Sequence, residues 1–370
     1  MKIAQMSGKL DSIQIVRALA ALMVVLFHSH YLVDSFSPGF RIVIPFIYTY
    51  GYLGVDIFFV VSGFIIAGVT SKDDFTLPSY FIKRFFRIYP IYWVFCYLSL
   101  VSYYKFGLNI GQSLEYATIY ASFLTAPIAD SLPIYPVGWT LTHEVFFYLI
   151  AGIAISFTRL KGLILVLLAL GLIGLATQGR TLLNSGPLEL LRQTLTSQYQ
   201  IHFAAGVLIF CCQRQLIKLR VLPAFLSSIA CFYITITFLL ETAVPIGVCL
   251  GASLFVIALL NAEKLSLLNS PNCFFQLTTK ALISIGNASF SLYLVHWIVF
   301  RWMGYEKTLA LLLLPSWSAE IWRYFGILVA VGLSLLLHRF LEMPVISMGN
   351  WISNLIEKAR KRRLNASGSD

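Results

Sequence analysis

The amino-acid sequence predicts an all-α polytopic membrane protein of about ten transmembrane helices with both termini cytoplasmic. Three observations lead there. Of 370 residues, 58% are hydrophobic and only 12% charged, and a mean hydropathy of +0.81 excludes an ordinary soluble domain. Apolar stretches of about 17 to 25 residues, long enough to cross a bilayer, recur along the whole chain with no polar block large enough for a separate core. Lys and Arg crowd into alternate connections, as membrane orientation requires.

The first span, 12–33, lies within "LDSIQIVRALAALMVVLFHSH". Arg17, His28 and His30 inside it, and no small-residue cleavage site after it, mark a retained helix rather than a signal peptide. "SPGF" precedes the second span, 50–71. The basic segment "SYFIKRFFRIYP" reads as a cytoplasmic connection into the third, 88–106. "LPIYPVG" introduces the fourth, 137–158, followed by the fifth, 161–177, and "NSGP" precedes the sixth, 198–213. The seventh and eighth are 222–240 and 243–261. "GNASFSLYLVHW" belongs to the ninth, 283–304, and "EMP" closes the tenth, 323–344. A short stretch at 113–127 reads as interfacial, because an eleventh span there would invert everything downstream.

Under this arrangement 18 of the 27 Lys and Arg fall on one side and 7 on the other, with Arg17 and Arg339 within spans, so both ends are expected in the cytoplasm. Residues 1–350 form one membrane domain and 351–370 a basic cytoplasmic tail, read as an anchor to anionic lipid that then becomes disordered. The net charge of +11 therefore reports orientation rather than a nucleic-acid partner. Six cysteines with no CxxC pair read as small buried apolar residues, and no metal-ligand spacing is present.

Ionisable groups in lipid are costly and mark function. Arg17 and His28 are eleven residues apart, about three turns, so they share a face and differ in depth by about 16 Å. By the same rise per residue, His28 lies about 24 Å and His296 about 20 Å above the inner boundary, and Asp56 and Glu144 about 9 and 10 Å below the outer one. Four side chains near one level imply a common polar cavity. There a neutral imidazole can take a proton from a hydroxyl as its oxygen attacks an acyl carbonyl, with a carboxylate orienting the ring. His28 is the expected base, Glu144 and Asp56 the expected carboxylates, and Tyr293, His296 and Trp139 the expected substrate-binding positions. Whether the acyl group first rests on His28 is left open by the residues.

Lys83, Arg84 and Arg87 lie beside aromatics at the inner face, where guanidinium groups suit a phosphate-bearing donor whose long arm, such as pantetheine, enters the bundle. Arg17 would join them or pair with Glu342. Ser62, beside Gly63, reads as a helix-packing residue, and His30 as interfacial. His143, next to Glu144, points about 100° away from it.

Taken in order, Arg17 with His28, "GVDIFFVVSGF", "RFFRIYP", "WTLTHEVFFY", "GNASFSLYLVHW" and "FLEMP" resemble the acyltransferase-3 family of membrane O-acyltransferases over nearly the whole chain. The resemblance implies transfer of an acyl group, most simply acetyl, from cytoplasmic acetyl-CoA or another acyl-CoA to an extracytoplasmic or lipid-linked carbohydrate. It also implies that His28 is the catalytic histidine and that Arg17, Arg84 and Arg87 are essential or donor-binding. Ending at Asp370 with a basic tail, the chain resembles the stand-alone branch of exopolysaccharide modification, multi-pass in the cytoplasmic membrane beside polysaccharide synthesis machinery. Two other classes keep polar groups in a bundle core. A secondary transporter would show an inverted repeat, and none is visible. A non-catalytic partner of a polysaccharide synthase would not need His28.

Overall fold

The computed structural model describes residues 10–32, 49–105, 135–177, 192, 194–216, 218–239, 243–268, 272–305 and 316–367. Among these the regular elements are all helical: α1 (Asp11–His28), α2 (Gly54–Thr70), α3 (Leu77–Lys105), α4 (Trp139–Thr177), α5 (Tyr199–Leu216), α6 (Val221–Phe238), α7 (Val244–Lys264), α8 (Cys273–Asn287), α9 (Ser289–Tyr305), α10 (Ser316–Leu337) and α11 (Met343–Ser367). The stretch 113–127, and nearly all of the connections at 106–136 and 178–197, lie outside the described residues.

Six helical stretches among the described residues are long and apolar enough to cross a membrane, and a seventh counts if the bent pair α8 and α9 is one span. The difference from ten has identifiable causes. The expected fourth and fifth spans form one helical stretch broken at Arg159 (φ 59°, ψ −168°), a left-handed residue that turns the chain. The expected third span is diluted by Tyr89, Pro90, Tyr92, Trp93, Tyr97, Tyr103 and Tyr104 in α3, and the expected sixth by Gln200, His202 and Gln213 in α5, which lower their apolarity. The ninth is not one rod: the chain bends by 77° between α8 and α9.

Two other expectations change. "SYFIKRFFRIYP" is no loop, because α3 begins at Leu77 and runs through Pro90. Nor does "EMP" end the last span. A π-helical turn, His338–Glu342, precedes Pro344, and α11 continues past it. A proline has no N–H for the ladder, and a wider turn just before it absorbs that misfit.

Helix α1 threads the centre of the bundle, with Val16, Ala18, Ala20, Ala21 and Val25 fully buried. No side chain of its own caps its first turn. The Glu263 carboxylate of α7 does so instead, accepting from the backbone N–H groups of Asp11 (3.0 Å) and Ser12 (3.1 Å) and from the Ser12 hydroxyl. An anion at a helix N-terminus satisfies its orphan donors and opposes its dipole. This cap holds the lower end of the helix that carries Arg17 and His28.

Helices α2 and α5 meet through glycine. A methyl group at Gly63 would collide with the Phe203 carbonyl, and one at Gly206 with that of Val60. Such contacts let backbones approach where no hydrophobic force drives helices together. Gly63→Val is expected to separate α2 from α5 and to remove most folded protein, read as loss of the monodisperse peak in detergent size-exclusion chromatography. A normal yield and melting point would show that the helices can part without cost.

Large apolar side chains cover the outside of the bundle, Phe157 and Phe274 among them, as a lipid-facing surface requires. The six cysteines are free. Cys96 and Cys249 are buried as expected, whereas Cys211 and Cys273 are exposed on that outer surface.

Candidate active site

The first turns of α3 place Arg84 and Arg87 three residues apart, on one face, with Lys83 beside them. All three line a cavity of about 940 Å³ that enters the bundle from the end where α1 begins. That volume is near the top of the range for small-molecule sites, about 300 to 1,000 Å³. Lys72 and Arg17 line the cavity as well, as do Ser62, Glu144, Tyr148 and His338. Its inner limit is reached at Thr140 and Tyr293.

Each cation is held differently. Arg87 forms an ion pair with Glu342 and lies 5.5 Å from the Phe290 ring. Arg84 stands over the ring of Tyr148 at 5.5 Å, and its Nε has no hydrogen-bond partner among the described residues. That N–H therefore still lacks an acceptor, which a ligand bringing oxygen atoms would supply. Arg17 donates to Gln14 Oε1 at 3.2 Å, one turn below it. The expected pairing of Arg17 with Glu342 does not form, because the π-helical turn aims Glu342 at α3 and α9. There, fully buried, it accepts from Arg87, from Ser291 Oγ at 2.7 Å and from His338 Nδ1 at 3.0 Å.

Glu144 enters the cavity wall from α4 and accepts from Ser62 Oγ at 3.2 Å and from the Tyr148 hydroxyl. Ser62 is therefore a polar wall residue and not the packing residue expected, a role that falls to Gly63 alone. One turn above Tyr293 on α9, His296 is fully buried, and its Nε2 lies 3.0 Å from Nδ1 of His28. The His28 ring also meets the edge of Trp297 at 5.6 Å. It thus points into the bundle, toward α9.

The four polar groups expected at one level do not share a single contact set. Neither carboxylate bonds to His28: Asp56 Oδ1 lies 3.2 Å from His202 Nε2 on α5, and Glu144 faces the arginine cavity. Tyr293 donates its hydroxyl to Val137 O at 2.9 Å and accepts from Thr140 Oγ1 at 2.7 Å, so that hydroxyl ties α9 to the start of α4. Trp139 packs beside His143 and Tyr199, at ring distances of 6.0 and 5.7 Å, on the side of the Asp56–His202 pair. His30 closes a local turn on Phe27 O at 2.6 Å.

Sequence reasoning missed His202, Tyr148 and His338. For two of them a signal was present: Glu144 with Tyr148, and His338 with Glu342, are helical i,i+4 neighbours. His202 had none, because its partner lies in a distant helix. Among the described residues no group of three His, Cys, Asp or Glu is placed to hold a metal ion.

Residues 10–339 match a family described as an acyltransferase domain. Over 106 residues the chain is 35% identical to the exopolysaccharide production protein ExoZ of Rhizobium meliloti (strain 1021), covering 27% of this chain and 33% of that protein. Over 198 residues it is 31% identical to the O-acetyl transferase of Shigella phage Sf6, covering 47% and 56%. The matched stretches thus span between a third and just over half of these relatives. No solved structure matches.

Proposed function

The chain belongs to the acyltransferase-3 family, a family of membrane acyltransferases, and from that premise we propose that it moves an acetyl group from acetyl-CoA to a carbohydrate hydroxyl outside the cytoplasmic membrane. The relatives named for exopolysaccharide production and O-acetyl transfer support this substrate class. In this reading the chain crosses the membrane ten times with both termini in the cytoplasm, the arginine end of the cavity faces the cytoplasm, and polysaccharide synthesis machinery presents the acceptor.

The observation that carries the proposal is the continuity of the cavity. It begins among Lys83, Arg84 and Arg87 and reaches Tyr293, one helical turn below the His28–His296 pair. Guanidinium groups at the mouth receive the phosphates of the donor, with Arg17 deeper on the same side. The pantetheine arm fills the apolar middle, beside Val55, Phe58 and Ile65. Asp56 and Glu144 remain assigned to the site as polarising carboxylates, Glu144 within the cavity wall and Asp56 through His202. Trp139 offers a ring face to the acceptor sugar.

The chemistry balances with one base. The acceptor oxygen bonds to the thioester carbonyl carbon as its proton passes to His28. The carbon–sulfur bond then breaks, and the leaving thiolate takes that proton as free coenzyme A. One ester forms and one thioester is consumed.

The test is reconstitution. Vesicles containing the chain, supplied with labelled acetyl-CoA and a glycan extract, are expected to yield O-acetylated glycan by mass spectrometry, and empty vesicles none. Glycan or acetyl-CoA crossing the vesicle wall with no ester formed would replace the enzyme with a transporter.

A further inference from the structure

Resting on the acyl-transfer reading above, the geometry points to His296 as a positioning residue that sets which ring nitrogen of His28 acts as the base. The constraint starts at a backbone carbonyl. His296 Nδ1 lies 3.1 Å from Leu292 O, one turn earlier on α9. A carbonyl oxygen only accepts, so Nδ1 must carry the proton. His296 is fully buried, where a net charge without a carboxylate partner is costly, so its ring is neutral and holds a single N–H. Its Nε2 therefore presents a lone pair.

That lone pair is 3.0 Å from His28 Nδ1. The contact is a hydrogen bond only when His28 Nδ1 carries a proton, which puts the lone pair of His28 on Nε2. The ring geometry agrees. The two planes differ by 22°, yet the centroids are 5.1 Å apart, a separation that suits an in-plane N–H···N bond. Leu292 O thus sets the tautomer of His296, and His296 sets that of His28.

During transfer, Nε2 of His28 takes the hydroxyl proton while its Nδ1–H stays donated to the lone pair of His296, which holds the charged His28 ring in place. This is the orienting part that sequence reasoning assigned to Asp56 or Glu144, of which Asp56 lies against His202 and Glu144 accepts from Ser62. An uncharged ring does the work here because Leu292 O, part of the α9 backbone, cannot rotate away.

The experiment is ring-nitrogen NMR on the full chain labelled with 15N-histidine in nanodiscs, with His28 assigned by difference from His28→Gln, alongside kinetics. Expected in the wild type is a His28 protonated on Nδ1 and bare on Nε2. His296→Ala should give a mixture of tautomers and lower kcat by about 10²- to 10⁴-fold with little change in donor KM. His296→Gln, whose amide oxygen can accept where Nε2 stood, should restore at least about a tenfold part of that loss. Any of three results overturns the assignment: a wild-type His28 protonated on Nε2, a tautomer unmoved by His296→Ala, or a folded His296→Gln no faster than the alanine variant. The NMR readout does not depend on turnover. A correct tautomer in a chain that transfers no acyl group would count against the reaction and leave the ring pairing standing.

Discussion

Replacing His28 by glutamine is expected to lower the rate of acetyl transfer about 10²- to 10⁴-fold, the usual contribution of a positioned general base. Donor affinity should change little. His28 stands eleven residues beyond Arg17 on an unbroken α1, about 16 Å along the axis, and Arg17 lines the same cavity as Arg84 and Arg87. A mutation beyond the inner limit of the cavity should therefore leave phosphate binding among the arginines intact. Glutamine keeps nearly the same volume, so the fold is expected to survive. The comparison needs equal amounts of monodisperse protein, with initial rates from labelled acetyl-CoA and a separate equilibrium binding curve for the donor. A variant within about threefold of wild type would remove His28 from the chemistry.

Glu342→Ala is the second large effect. The carboxylate is fully buried and accepts from Arg87, Ser291 and His338, joining α3, α9 and the π-helical turn before α11. Removing it leaves a guanidinium without its counter-charge inside the bundle, and breaking a buried pair from one side costs about 3 to 5 kcal/mol. Thermal unfolding in detergent should show that loss. The donor KM should also rise, because Arg87 would no longer be held against the cavity wall. A paired variant separates the two consequences. Arg87→Met with Glu342→Met removes both charges and should regain much of the stability, since apolar replacement of a buried pair is often neutral or better. Its donor KM should stay high. Equal KM values for the paired variant and the wild type would show that Arg87 does not contact the donor.

Much of the fold was legible because hydropathy and helical spacing are local properties. The helices carrying the expected spans appear close to their expected places, and Arg17 and His28 share α1 as eleven-residue spacing requires. Where the reading failed, a local rule met a compensating feature outside it. Proline predicts the end of the tenth span, but a π-helical turn relieves the misfit. Span boundaries make the basic stretch before Pro90 a connection between helices, yet it is helical and its cations face a cavity inside the bundle. Its neighbour Gly63 suggests a packing role for Ser62, yet adjacent residues on a helix point about 100° apart and need not share a role.

The candidate site divides along the same line. Its ionisable residues stand out in the sequence alone, since such a group in an apolar span is expensive wherever it occurs. Partners do not. His28 with His296, Asp56 with His202 and Glu342 with Arg87 join residues on different helices, separated in the chain by from about 150 to nearly 270 positions.

The amino-acid order by itself determined a helical membrane chain, the family it belongs to, and the helix that carries its arginine and histidine. Only the tertiary structure decided that an imidazole on α9, rather than a carboxylate, meets His28, and that Arg87 rather than Arg17 takes Glu342. The reason is physical: segment hydropathy is set by neighbours along the chain, whereas the mutual rotation of packed helices is set by contacts such as Gly63 on Phe203, which no single segment contains.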